Sequence, residues 1–407
     1  MQEKKKTLFL IIALFYIVQS IFPLFNDWVK PPEWLPSLST TVLLVMLYPK
    51  AFLNRTIVWF GIYALVLFSY MALGRPLTIG IGTVADSKKI IIEFAFILPA
   101  LSIFSVLCYL NDLALTRRLI HFSVIVLYAS FIVAVPLMLR YNSLREALYR
   151  EGVEMIDVPG LPSYSLMHAY TLFLPAIAYA AKKFSGKRKT FFIVALGVLS
   201  FVVFDTFVAA SLFIMVGVLA YTILFSKSRR NRFKFVFAFV IALLVVLLMS
   251  GAIVPIIDFV MPFFRGTPVI GKLQDIRNSI TSGTIMGGNL VLRMELHNIS
   301  WQSFFANPIF GNSEVGRHSS LVDRLGGMGL VAFVPFVMIF ISGIARILKL
   351  YQQKMSKDFY WLGVLSAFLF LYFKGNWGAD SWLMLFILMP FAILVYERED
   401  DNGKLIA

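Results

Sequence analysis

Lys4-Lys5-Lys6-Thr7-Leu8-Phe9-Leu10-Ile11-Ile12-Ala13-Leu14-Phe15-Tyr16-Ile17-Val18-Gln19-Ser20-Ile21-Phe22 places three lysines ahead of an apolar run that continues to Phe25. Up to that point the stretch resembles a signal peptide. Asn26-Asp27-Trp28-Val29-Lys30 then follows where a small-residue cleavage site would be needed, so the run reads as a first transmembrane helix, its lysines in the cytoplasm.

Runs of this kind recur along the whole chain. Apolar windows near the length that crosses a bilayer lie at 7–25, 36–49, 56–73, 90–110, 119–139, 164–181, 190–205, 207–225, 235–256, 327–345, 359–373 and 381–396. The second is short, and only Asp205-Thr206 separates the seventh from the eighth. With 59% hydrophobic and 14% charged residues, a chain of 407 residues has too little polar surface for a soluble globule. The expected fold is an all-α polytopic membrane protein: one membrane domain over 1–407, about twelve transmembrane helices and both termini cytoplasmic. A smaller outer loop, 140–163, and a large extracytoplasmic loop, 257–326, between the ninth and tenth helices complete it.

Charge supports this orientation. Of the 37 basic residues, 23 fall in the segments assigned to the cytoplasm, among them Lys50, Arg55, Arg117, Arg118, Lys182 to Lys189, Lys349 and Lys357. The other 14 face outward, and nine of those are arginine: Arg75, Arg140, Arg145, Arg150, Arg265, Arg277, Arg293, Arg317 and Arg324. Arginine makes planar bidentate contacts with phosphate whereas lysine acts as a point charge, so the outer side looks selected to bind an oxyanion. The net charge of +15 is spread over short loops rather than one amphipathic face, which points to membrane lipid as partner and away from nucleic acid. A single cysteine, Cys108, excludes an intrachain disulfide and a cysteine metal site.

The long outer loop carries the candidate chemistry. Leu290 to Phe305 reads as a helix, with Leu292, Leu296 and Ile299 on one stripe and Arg293, His297 and Ser300 on another. It is expected to lie across the membrane surface, apolar stripe on the bundle and polar stripe toward a cavity. Arg293 is either an anion ligand or an interfacial arginine that snorkels to lipid phosphate or pairs with Glu295. Asn307-Pro308 ends the helix, since the residue before proline avoids helical geometry. Gly311-Asn312-Ser313-Glu314-Val315-Gly316-Arg317-His318-Ser319-Ser320 then leads into a helix that a capping-box-like Ser320 and Asp323 would start. Arg317 and His318 would sit at its N-terminus, where backbone N–H groups favour an anion, and a histidine there can take a proton from a hydroxyl or simply bond the loop.

Weaker candidates lie elsewhere. Arg140, Arg145 and Arg150 recur every five residues, which spreads them around a helix. Glu93 and Asp205 fall in or beside apolar runs, where an ionisable group is a functional candidate by default. His168 and His121 read as helix histidines, and the chain has no metal-ligand motif and no phosphate-binding glycine loop.

Together, Arg293, Trp301, Asn307-Pro308-Ile309-Phe310-Gly311, Gly316-Arg317-His318-Ser319-Ser320-Leu321-Val322-Asp323-Arg324-Leu325-Gly326 and Gly329-Leu330 resemble the signature of the bacterial O-antigen polymerase and ligase superfamily. In that family an arginine opens a helix of the large periplasmic loop, an Asn/His-Pro-x-x-Gly turn follows, and a histidine precedes the next transmembrane helix. The resemblance implies a membrane glycosyltransferase of the GT-C-like, lipid-donor kind, in the bacterial inner membrane, with no metal or other cofactor. Its substrates would be undecaprenyl-diphosphate-linked glycans, and its pathway partners a flippase and a chain-length regulator. Carried over, Arg293 would hold the donor diphosphate and His318 would act near the acceptor hydroxyl. Arg140, Arg145, Arg150, Arg265, Arg277, Arg317, Asp323 and Arg324 are the further substrate-binding candidates. Many relatives carry a Ser-Arg pair after the turn between the seventh and eighth spans. Here Phe204-Asp205-Thr206-Phe207 has no arginine, so Arg140 or Arg145 would supply the missing phosphate ligand. The Gly-x-His-Ser-Ser-Leu-x-Asp form is nearer to capsule and exopolysaccharide polymerases than to ligases, which transfer the same donor to lipid A core or protein. A lipid-glycan flippase is the non-enzyme alternative.

Overall fold

Where no water reaches the backbone, a chain segment satisfies its own N–H and C=O groups by coiling into a helix, and long apolar runs therefore fold as helices. A computed structural model describes residues 2–22, 34–74, 87–140, 164–205, 209–224, 253–266, 268–282, 288–312, 314–373, 377–401 and 404–405. In chain order the helices are α1 (Gln2–Ile21), α2 (Trp34–Leu47), α3 (Arg55–Ala72), α4 (Ser87–Leu110), α5 (Leu113–Arg140), α6 (Tyr164–Lys183), α7 (Gly186–Asp205) and α8 (Ala209–Leu224). They continue as α9 (Ile253–Val260), α10 (Pro268–Ser282), α11 (Gly288–Ala306), α12 (Ser320–Leu350), α13 (Lys354–Phe373) and α14 (Ala379–Arg398). No strand occurs among the described residues; the one bridge pairs Glu399 with Leu405.

Eleven of the twelve apolar runs coincide with helices, and the ninth lies outside the described residues until α9 begins at Ile253. Among the described residues, five helices, α3, α4, α5, α12 and α14, are long and apolar enough to cross a membrane, and α2 and α8 are shorter apolar helices. Their outward surface fits hydrocarbon: Met46, Leu65, Ile132 and Phe213 are 63–73% exposed, a distribution that water would penalise. α14 runs through the centre, buried from Asp380 to Ile393, with Trp382 stacked on Phe340 at 4.8 Å.

Direct contacts sort the connecting segments onto two ends of the bundle. At the basic end Lys6 meets Asp112 (2.7 Å), while Arg117 and Arg188 converge on the fully buried Glu399 (2.8 and 2.6 Å) with His121 at 3.1 Å. Burial pushes the Glu399 carboxyl up, but His121 and Arg188 outweigh it and hold the group below its ordinary range. Ser185 N–H donates to Asp401 (2.8 Å) and Gln352 N–H to Glu397 (2.9 Å). All of these belong to segments that the charge count assigns to one side. The opposite end is tied by Tyr70 Oη donating to the Met328 carbonyl (2.9 Å) and Ser165 Oγ to Asp380 (2.5 Å).

Candidate active site

The loop after α11 is built into a break in the following helix. α12 kinks at Gly329 (φ 63°, ψ −173°), so the N–H groups beyond it have no carbonyl of their own helix one turn back. The Asn307-Pro308-Ile309-Phe310-Gly311 turn fills the gap: Leu330 N–H donates to the Pro308 carbonyl (2.9 Å) and Val331 N–H to that of Ile309 (3.1 Å). Gly311, itself at φ +74°, donates back to Asn307 (2.8 Å), and Asn312 N–H reaches the Gly326 carbonyl (2.8 Å). A Cβ on Gly311 would lie 2.5 Å from the backbone of Gly327, Met328 and Gly329, and one on Gly329 would meet Ile309 and Gly311 in turn. Only two facing glycines let the turn and the broken helix approach this closely.

α12 starts at Ser320, not at Gly327 as hydropathy alone implies, because Asp323 and Arg324 have polar partners inside the bundle and need not wait for solvent. Its N-cap is Ser319 rather than Ser320: Ser319 Oγ accepts from Val322 N–H (3.1 Å), and the Asp323 carboxylate accepts from Ser319 N–H (2.7 Å). The protein's own groups therefore take part of the N-terminal capacity expected to hold an anion.

α11 lies on this segment with its faces opposite to the sequence expectation. The polar stripe faces inward: Ser300 is buried, donates to Asp323 (2.6 Å) and accepts from Gly316 N–H (2.8 Å). Leu292 and Ile299, expected against the bundle, are exposed. Beside a membrane the outward surface need not be polar, and the capping network takes the polar side chains.

Above Ser300 the stripe continues through His297 and Arg293, spaced four residues apart on one face. His297 is half-buried, its ring centroid 6.2 Å from that of His318 and 5.3 Å from that of Tyr372 on α13. Burial lowers the His297 pKa; the Asp323 charge opposes this and the Arg293 charge adds to it. Arg293 is half-buried and, among the described residues, forms no ion pair with Glu295 or any other carboxylate. Arg317 is exposed and holds φ +59°, a conformation that costs a non-glycine residue about 1–3 kcal/mol and is kept where the surroundings over-determine it.

The structure thus brings together Arg293, His318 and Asp323, with Arg317 beside them, and adds His297, Ser300 and Tyr372. His297 and Ser300 were legible as neighbours of Arg293 on one helical stripe; Tyr372 had no sequence signal. Arg324 belongs elsewhere. It is buried within α12, its guanidinium 2.6 Å from Glu93 of α4, which corrects its reading as a loop residue facing substrate. Arg277 is bidentate to Asp258 (2.6 and 3.4 Å), its charge met within the loop, and Arg265 is exposed after a 3-10 turn at Met261–Phe264. Arg140 is the last residue of α5, while Arg145 and Arg150 lie outside the described residues. No family model matches the chain, and no curated protein matches it either.

Proposed function

We propose that this chain is an inverting membrane glycosyltransferase that polymerises lipid-diphosphate-linked oligosaccharide repeat units into O-antigen, capsule or exopolysaccharide. In this reading it crosses the bacterial inner membrane about twelve times, in the manner of GT-C-like lipid-donor enzymes. Both termini are cytoplasmic and α9 to α11 form the catalytic loop outside. The growing glycan on its undecaprenyl diphosphate is the donor, and a hydroxyl of the incoming unit's non-reducing sugar is the acceptor.

The observation that carries the proposal is Arg293, without an ion pair among the described residues, on one helical face with His297, whose ring meets that of His318, over an ordered Ser300–Asp323 floor at the end of the bundle opposite the basic loops. As the acceptor oxygen bonds C1, the C1–O bond to phosphate breaks and negative charge grows on the departing diphosphate. A preorganised guanidinium is suited to that charge, and removing one such contact typically costs about 10²- to 10³-fold in rate. His318 takes the proton of the attacking hydroxyl, a role worth about 10²- to 10⁴-fold.

The test is polymer formation from purified lipid-linked repeat units. Arg293→Ala should abolish polymer at normal membrane abundance, and Arg293→Lys should restore little, since a point charge cannot replace a planar fork. Full-length polymer from Arg293→Ala refutes the role, and translocation of the units without polymer would instead make the chain a transporter.

A further inference from the structure

We propose that His297 is a second proton-handling residue of this site, acting through His318, with Asp323 balancing the charge that the pair acquires. The inference rests on the glycosyl-transfer reading above and concerns the route of its proton.

Its helical face and two ring contacts give His297 its place. It shares a helical face with Arg293, four residues before it, and with Ser300, three after it, whose hydroxyl donates to Asp323 at 2.6 Å. Its ring stands edge-on to that of His318 with centroids 6.2 Å apart. Tyr372 packs against it with ring centroids 5.3 Å apart. The charged and titratable groups around it are Arg293 and the exposed Glu295 from its own helix and Arg317 and His318 from the loop. α12 contributes Asp323 and α13 Tyr372. α10, which also packs on α11, carries Asp275 and Arg277, the latter already paired with Asp258. Asp323 favours the protonated imidazole, and Arg293 opposes it. A histidine only stacked on a tyrosine would need neither neighbour.

The proton balance is closed. The acceptor O–H bond breaks as its oxygen forms a bond to C1, and the C1–O bond to the diphosphate breaks with its electron pair leaving on the phosphate oxygen. The proton goes to His318 and is shared with His297. It leaves the imidazole pair for the departing diphosphate or for water, and both rings end neutral.

The experiment measures kcat and KM against pH with purified protein and lipid-linked repeat units. His297→Gln should lower kcat by about tenfold or more with KM little changed, and displace the acid limb of the profile by about half a unit, because two coupled groups titrate as a pair. Asp323→Asn, which keeps one acceptor oxygen for Ser319 N–H and turns its amide toward Ser300, should move that limb to lower pH by removing the charge that favours the imidazolium. A His297→Gln enzyme whose rate falls equally at every pH, or does not fall, overturns the proposal while leaving the polymerase reading intact. Should His297→Gln fold poorly, His297→Asn carries the same comparison. A second readout needs no turnover: in labelled-histidine NMR, the His318 titration should shift between wild type and His297→Gln. An unchanged His318 titration also overturns the pairing. Absence of polymer from the wild-type protein counts against the polymerase reading instead.

Discussion

Arg324 of α12 and Glu93 of α4, 231 positions apart in the chain, form a 2.6 Å ion pair inside the helical bundle. The guanidinium also donates to the Ser320 carbonyl (2.9 Å) and lies 4.6 Å over the Phe336 ring. Each residue is by itself an expensive charge to bury, and each is the other's reason for being there. The pair anchors the first turns of α12, and with them the Ser319–Asp323 cap beneath the candidate site.

Removing one partner leaves the other charge buried and uncompensated. Glu93→Leu or Arg324→Leu should therefore lower unfolding stability by about 3–5 kcal/mol, whereas Glu93→Leu with Arg324→Leu should recover most of the loss. Unfolding in detergent across the four proteins of the cycle measures this. A double variant no more stable than the two losses added together would mean that the two side chains act independently.

The docked turn makes a sharper steric prediction. Gly311→Ala and Gly329→Ala each drive a methyl group into facing backbone, and both positions hold a positive φ that alanine resists. Both should reduce stability and polymer formation together, the loop losing its hold on α12. Gly61→Ala, where a Cβ meets nothing within 4 Å, should change stability by less than about 1 kcal/mol. Thermal unfolding beside polymer yield checks all three, and a wild-type-like Gly311→Ala would contradict the close approach.

Sidedness can be read with cysteines in a Cys108→Ala background. Ser319 is buried under the Leu371 carbonyl, so Glu314, whose side chain is exposed, is the outer position, with Lys187 for the basic end. An impermeant thiol reagent added to intact cells should label Glu314→Cys and spare Lys187→Cys. The reverse pattern would place the arginine-rich loop in the cytoplasm and remove the extracytoplasmic reading of the site.

Much of this protein was legible as one-dimensional pattern. Helices answer to runs of apolar residues, since hydrocarbon leaves the backbone no other partner, and their positions follow from composition alone. The spacing of Arg293, His297 and Ser300 on one stripe likewise needs only the helical period. Which way that stripe faces is different in kind. Sequence periodicity separates two faces but does not say what packs on either, and for α11 the polar face meets Gly316 and Asp323 while Leu292 and Ile299 point outward.

The partners of the charges belong wholly to the tertiary structure. Glu93 and Arg324 looked like two separate functional candidates, and Arg277 like a phosphate ligand, until packing joined the first two and set the third on Asp258. The helix break at Gly329 is of the same nature, because a glycine permits a left-handed residue anywhere, and only the carbonyls of Pro308 and Ile309 make the break favourable here. The sequence by itself determined where the chain is helical and which residues carry charge, both local consequences of side-chain chemistry. Tertiary structure alone decided which charges neutralise one another, as Arg324 does with Glu93 and Arg277 with Asp258, because that depends on distances between segments that the sequence leaves apart.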